Sequence, residues 1–482
     1  MLHSISSSIQ QFLALPRSSL SRDSFPRIAF LRTSFLHTAL KSQLALLFVL
    51  GVSLVGCSQN QPTGTDTGAD QEAATGTEST ERQNSPNTVT VLGVFVGEQQ
   101  ARLEEAIAPF EAETGIDVIY EGTDAFTTLL PVRIDSGDPP DIAMFPQPGL
   151  MKSLAAEGAL VPLDDFLSRA ALNAYYPESW IDLSTVNNKI YGVWYRSAVK
   201  SLVWYVPAQF EKRGYDIPKT WEELTALSNQ MIAAGETPWC IGLESGNASG
   251  WPATDWIEEI LLRTAGPDFY EQWVNHEVPF DSPEVQTAFE YFGDIVRSPG
   301  SVWGGKTGAL SISWGEAPTG LFAQEPKCFM HRQGNFIANF FPDDVVLGED
   351  VTFFQTPDIN PDYSNALLVG GDIFAMLQDT PAARKFMAYM ASPTPHEIWA
   401  ARGDFLSPNK QVDLGLYPND ITRQQAELLT SADVVQFDGS DAMPGAVGTG
   451  TFWTEAMNFV AGSSAKQVTE QIEYYWPAEI GE

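Results

Sequence analysis

Between residues 88 and 158 the chain repeats one pattern three times: a β-branched apolar run, a few polar residues, then apolar residues at helical spacing. Val89 to Val96 is the first run. Leu103, Ala106, Ile107 and Phe110 then recur at the 3.6-residue period, and Gly115 stands where a helix C-cap belongs. Ile116 to Tyr120 and Ile142 to Phe145 read as the second and third strands, with helices over 126–136 and about 147–157. A β-α-β-α-β-α order with links this short implies a parallel sheet with right-handed crossovers. Ligands of such sheets bind beyond the carboxyl ends of the strands. Those ends open here into Gly97-Glu98-Gln99, Thr123-Asp124-Ala125-Phe126 and Pro146-Gln147-Pro148. Glu98, Asp124, Phe126 and Gln147 are therefore candidate ligand contacts.

The stretch Lys189 to Val206 is apolar and aromatic, and is expected to form a long strand pair that passes out of this first region into a second. There, Thr220 and Glu223 have capping-box spacing before Trp221, Leu224, Leu227 and Met231. Cys240 to Leu243 reads as a strand opening into a loop over 244–254, and Ser282-Pro283 as a helix start. Residues 351–391 look like a return to the first region, and Thr394 with Glu397 like another helix cap. The expected fold is α/β with two interleaved lobes: 88–197 plus 350–392, and 198–349 plus 393–482. Lobes joined by extended crossings predict a hinge and a central cleft.

Ahead of this body, residues 44–56 are an apolar run preceded by scattered Arg and Lys. The run is too short to span a bilayer as a stable helix and fits the core of a signal peptide. It ends in Leu54-Val55-Gly56-Cys57, which resembles the bacterial lipobox, whose cysteine is acylated after export. Residues 1–57 are thus expected to be the export signal. Residues 58–87 hold no aromatic or branched aliphatic side chain and are expected to be a disordered tether. Of the three cysteines only Cys240 and Cys328 remain, and a disulfide between them suits an oxidising exported compartment; two buried thiols are the alternative.

The net charge of −34 argues against nucleic acid, whose phosphates need Lys and Arg. It also argues against electrostatic attachment to an anionic membrane. Gly300 to Thr307 matches the P-loop pattern letter for letter, but a P-loop follows a buried strand and opens a helix. Residues 284–298 have helical spacing instead, and no helix start is visible after Thr307. His276, His331 and His396 are far apart, so no metal site is expected. No Gly-x-Ser-x-Gly elbow occurs, and no carboxylate pair is marked as a glycosidase acid and nucleophile. No catalytic residue and no cofactor is assigned.

Aromatic placement is the positive signal. All thirteen tryptophans follow the first α/β run. A sugar ring stacks its apolar face on an aromatic ring, while its hydroxyls need carboxylate, amide or guanidinium partners. Trp251 and Asp255, and Trp314, fall in expected loops; core packing is an equal reading for both tryptophans. Gly370-Gly371 breaks an apolar run before Asp372, which suggests close backbone approach or a bulge. Asn335 follows Gly334 after a strand, and Asp441 lies in a polar loop that is either site or turn. Arg196 lies in an aromatic strand, as a hydroxyl ligand or as an ion-pair partner for the surplus acid.

Phe110-Glu-Ala-Glu-Thr-Gly-Ile-Asp-Val118, Pro139-Pro-Asp-Ile-Ala143, Phe145-Pro-Gln-Pro-Gly149, Trp221-Glu-Glu-Leu224, the Trp251 to Glu258 segment and Phe437-Asp-Gly-Ser-Asp-Ala-Met-Pro444 occur in that order. With these, the body from about residue 88 resembles the bacterial extracellular solute-binding proteins (family 1) of carbohydrate ABC transporters, nearest the α-glucoside-binding branch. The resemblance implies a two-lobed periplasmic-binding-protein-like fold (type II) and capture of a small sugar such as trehalose, maltose or glucosylglycerol, without chemistry. It also implies docking on permease domains and a monomeric, lipid-anchored protein on the outer side of the membrane. Family ligand loops would fall on Asp124, Gln147, Trp251, Asp372 and Asp441. A lipid-anchored glycoside hydrolase, or a binder of another solute on the same fold, are the competing readings.

Overall fold

The computed structural model describes residues 87–432 and 434–477. The expected export signal, Cys57 and the expected tether up to residue 86 lie outside the described residues.

The first lobe begins as expected: β1 (Thr88–Gly93), α1 (Glu98–Thr114), β2 (Asp117–Gly122), α2 (Phe126–Asp135), β3 (Ile142–Phe145) and α3 (Pro148–Ala156). β1 pairs in parallel with β2 on one side and β3 on the other. Gly115 ends α1 at φ 66°, returning its N–H to Glu111 O, a backbone conformation that a side chain would strain. The Lys189–Val206 stretch resolves into β4 (Gly192–Val199) and β5 (Leu202–Tyr205), which belong to different sheets. Lys200 and Ser201 are therefore the first crossing between lobes.

The second lobe contains α4 (Trp221–Ala233), α5 (Trp251–Ala265), α6 (Pro267–Val274), α7 (Pro283–Val296), α8 (Gly305–Ser311), β6 (Met330–Arg332) and β7 (Thr352–Gln355). β5 lies between β6 and β7, antiparallel to both. Thr220 caps α4 by accepting from Glu223 N at 3.2 Å, while the Glu223 carboxylate accepts from Lys219 N rather than closing on Thr220. Two expectations fail here. Residues 240–243 form no strand; isolated bridges flank them at Trp239 and Glu244. A short helix, α8, does start inside the P-loop-like sequence, at Gly305, but what precedes that sequence is helix α7, with no strand to feed a phosphate loop. Cys240 and Cys328 are joined by a disulfide, with Cα atoms 5.3 Å apart.

The chain returns through β8 (Ala366–Met376), α9 (Pro381–Ala391), α10 (Pro393–Ala400), α11 (Asp420–Ser431) and β9 (Val434–Phe437). β8 is the spine of the first sheet. Its C-terminal half pairs antiparallel with β3, its N-terminal half parallel with β9, and its other edge antiparallel with β4. α10 starts at Pro393, one residue before the expected cap Thr394; Ser392 holds the N-cap position without a side-chain capping bond. The expected lobe boundaries at 350 and 393 are both too early: β7 still pairs with β5 in the second lobe, and the first sheet resumes only at Ala366. Trp399 packs edge-on to Phe95 at 5.3 Å and stacks on Phe405, inside the first core, and β9 completes the first sheet. The chain changes lobe at Asp438, and among the described residues α12 (Gly439–Ala442), a π-helical segment (Ala446–Phe452), α13 (Trp453–Ala461) and α14 (Ala465–Tyr474) follow.

Candidate functional site

Helix α5 is the element on which the crossings meet. Its sequence, WPATDWIEEILLRTA, begins with residues that suggest a loop, yet every residue from Pro252 to Arg263 is buried. Trp256, Ile257, Ile260 and Leu261 face the second core. The polar stripe Asp255, Glu258, Glu259 and Arg263 recurs at helical spacing and is buried by the crossings instead of by water. Asp255 takes Lys200 from the first crossing at 3.0 Å, and Glu259 takes Ser201 Oγ from the same crossing at 2.8 Å. Arg263 donates to Ala366 O, at the end of the second crossing, at 2.9 Å. Glu258 accepts the N–H groups of Gly439 and Ser440, on the third. One helix face thus holds all three links between the lobes.

Beside that face lies a cavity of about 370 Å³ between the lobes. Nine of the eleven expected ligand residues line it: Asp124, Phe126, Gln147, Arg196 and Asp372 from the first lobe, Trp251, Asp255 and Trp314 from the second, and Asp441 after the third crossing. Asp124 and Trp251, on opposite lobes, share it. At its mouth Asn247 Nδ2 reaches Thr128 Oγ1 on α2 at 3.4 Å, a hydrogen bond across the cleft.

The floor is polar. Arg196 and Asp372 are cross-strand partners on β4 and β8, joined Nε to Oδ2 at 2.6 Å beside a register shift after Asp372. Arg196 is thus both cavity wall and ion-pair partner, and its guanidinium lies over Phe95 at 4.2 Å. The glycines before Asp372 are there because nothing larger fits. A Cβ at Gly371 would stand 2.6 Å from Arg196 O, and one at Gly370 2.9 Å from Lys200 Cε. Burial raises the Asp372 pKa, with Arg196 opposing.

Lys200, unnoticed in the sequence, sits at the centre of the floor. Its ammonium meets Asp255, Asp438 and, at 3.7 Å, Asp441. Burial alone would lower its pKa; Asp255, Asp438, Asp441 and Glu258 hold it well above the ordinary lysine value. Burial pushes Asp441 well up, aided by Asp438. Asp438 itself is held low against burial by Lys200 and by the donors around it.

The second-lobe wall is aromatic. Trp251 and Trp314 meet edge to face at 5.2 Å, and Phe340 packs on Trp314 at 4.5 Å. Phe336, Phe340 and Trp453 join the lining without having been anticipated. Trp453 follows a glycine-rich run that hid it, and the two phenylalanines come from the turn Asn335–Phe340.

Two expected contacts do not reach the cavity. Glu98 opens α1 on the outer surface and pairs with Arg102 at 2.7 Å, because the first turn of that helix points its acid along the helix to the i+4 base. Asn335 is buried, and its Oδ1 accepts from Val199 N at 2.9 Å, so it ties the aromatic turn to the end of β4. The neighbour Gln99 lines the cavity in place of Glu98.

Five lining residues keep a buried polar atom without a protein partner: Gln147 Oε1, Arg196 Nη1, Asp255 Oδ2, Asp372 Oδ1 and Trp453 Nε1. Buried polar groups are almost always bonded, so such a concentration marks where a ligand or water completes the network.

The family model of the bacterial extracellular solute-binding proteins matches residues 97–397. The chain is 53% identical over 389 residues to the osmoprotective compounds-binding protein GgtB of Synechocystis sp., covering 81% of this chain and 92% of that one. It is 42% identical over 397 residues to the alpha-glucosides-binding periplasmic protein AglE of Rhizobium meliloti, covering 81% and 87%. Among solved structures it superposes on the solute receptor AcbH with a TM-score of 0.71 at 20% identity, covering 81% of this chain and 98% of that one. The maltose-bound MalE3 of T. maritima gives 0.64 at 18%, covering 80% and 98%. The two interleaved lobes, three crossings and interlobe cavity are those of the type II periplasmic binding fold, and the chain belongs to the bacterial extracellular solute-binding proteins.

Proposed function

We propose that the protein captures a small α-glucoside, of the trehalose, maltose or glucosylglycerol kind, by closing its lobes, and presents it to the permease of an ABC importer. The observation that carries this is the set of five unpartnered polar atoms around an aromatic wall. Three are acceptors (Gln147, Asp255, Asp372) and two are donors (Arg196, Trp453). Sugar hydroxyls both donate and accept, and the faces of Trp251 and Trp314 suit the apolar side of a pyranose. The relatives named for osmoprotective compounds and for alpha-glucosides support this ligand class. In this reading Asp124, Phe126 and Asp441 complete the contacts. The mature protein is a monomer, exported and held to the membrane by acylated Cys57 through the 58–87 tether, and it performs no chemistry on its ligand.

Isothermal titration of the purified protein with trehalose, maltose, glucosylglycerol and sucrose tests it, with tryptophan fluorescence followed in parallel. Saturable heat with a fluorescence change and an unaltered sugar on recovery is the expected result. Absence of heat across a broad sugar screen, or release of monosaccharides, defeats it.

A further inference from the structure

Four carboxylates converge on the single ammonium of Lys200. Asp438 is the best satisfied: one oxygen meets Lys200, and the other accepts from Ser440 Oγ at 3.0 Å and Asp441 N at 2.8 Å. Glu258 takes two backbone N–H groups and the Tyr270 hydroxyl. Asp441 stands further off, at 3.7 Å. Asp255 bonds Lys200 through Oδ1, and its Oδ2 has no partner although the residue lines the cavity. Carboxylates this close, out of water and sharing one cation, cannot all be ionised at once.

We propose that ligand capture in this cavity is linked to proton release, and that Asp255 is the group that gives up the proton; this rests on the sugar-capture reading above. In the empty cavity Asp255 competes for Lys200 with the equally buried but better hydrogen-bonded Asp438, and a proton on its carboxyl, shared with Asp438, relieves the repulsion. A ligand hydroxyl donating to Oδ2 supplies the missing second donor. A carboxylate gains stability from each donor, so the ligand favours the ionised form and the proton passes to the buffer. The charged groups around Asp255 come from every neighbouring element. Lys200 lies on the first crossing, Asp438 and Asp441 on the third, and Glu258 on α5 itself. Arg332 lies on β6, and the Arg196–Asp372 pair lies further along the floor. Tyr270 of α6 faces Glu258 and Asp438. Burial first, then Asp438, pushes Asp255 up to about 7 against the pull of Lys200, which places the exchange at neutral pH.

The test is calorimetry on the wild-type protein with the tightest binder among trehalose, maltose and glucosylglycerol. It is run at pH 7 in phosphate and in imidazole, then from pH 5.5 to 8. The expected result is a binding heat that differs between the buffers by the released proton fraction times the difference in their ionisation enthalpies, and an affinity that climbs with pH. Below pH 7 the climb approaches about tenfold per unit. Asp255→Asn, which has no proton to release, is expected to bind more weakly with equal heats in both buffers. Equal heats and a flat affinity in the wild type, with sugar still bound, overturn the linkage and leave the sugar reading standing. Buffer-dependent heat that survives in Asp255→Asn overturns the assignment to this residue. Failure of every sugar to bind removes the functional reading itself, and the linkage with it.

Discussion

Glu259 and Arg263, one turn apart on α5, are both fully buried and bonded at 2.7 Å. Arg332 Nη2 and Ser201 Oγ complete the carboxylate's shell at 3.0 and 2.8 Å. Burial alone would raise the Glu259 pKa; Arg263, Arg332 and Ser201 hold it below the ordinary value. Its contribution to stability is therefore full above the usual glutamate range and is lost only as pH falls through the lowered value. Removing one member of a buried ionic network leaves the others uncompensated, at a cost of about 3–5 kcal/mol. Glu259→Ala is expected to lower the urea midpoint accordingly, and a shift worth under about 1 kcal/mol would show that the network is solvated in solution.

Trp453→Phe tests the least anticipated contact. It keeps an aromatic ring, though a smaller one, and deletes a donor, Nε1, that has no protein partner. One hydrogen bond is worth about 0.5–1.5 kcal/mol net, so sugar affinity should fall about threefold to tenfold with the unfolding midpoint little changed. Unaltered affinity would place the ligand away from this indole.

Burial, acting mainly alone, lowers His331 to about 4 and His396 to about 3. The unfolded chain protonates both near 6.5, so their contribution is complete above that pH and declines as pH falls toward the folded values. Imidazole NMR should show both rings neutral at pH 5.5. A ring that titrates near 6.5 would contradict the burial.

The Cys240–Cys328 bridge closes a separation of 88 residues. Chain-entropy arguments put the stabilisation at about 4–5 kcal/mol for a loop of that size. Melting with and without reductant, alongside the double Cys→Ala variant, should show a matching drop in Tm; coincident melting curves would refute it.

The first α/β run was legible because its signals are local: apolar period, glycine caps and short links. The Asp124, Gln147 and Asp372 positions followed from strand ends and from the glycine pair. What stayed hidden depends on pairs distant in sequence. Lys200 looks like an ordinary strand lysine until Asp255 and Asp438 are brought to it, 55 and 238 residues away. α5 read as a loop because Gly250, Pro252 and an acidic face are loop-like; only the crossings bury that face. The lobe boundary at 393 failed for the same reason, since Trp399 declares its lobe only through Phe95.

The same helix carries cavity-lining groups at one end and, along its flank, the bolts that fasten the two halves. Retuning selectivity at Trp251 or Asp255 therefore disturbs the joint on which the halves would swing. An engineer seeking a new specificity, or a sensor whose brightness follows sugar concentration, has more freedom at Phe336, Phe340 and Trp453, which shape the chamber without touching the fastening.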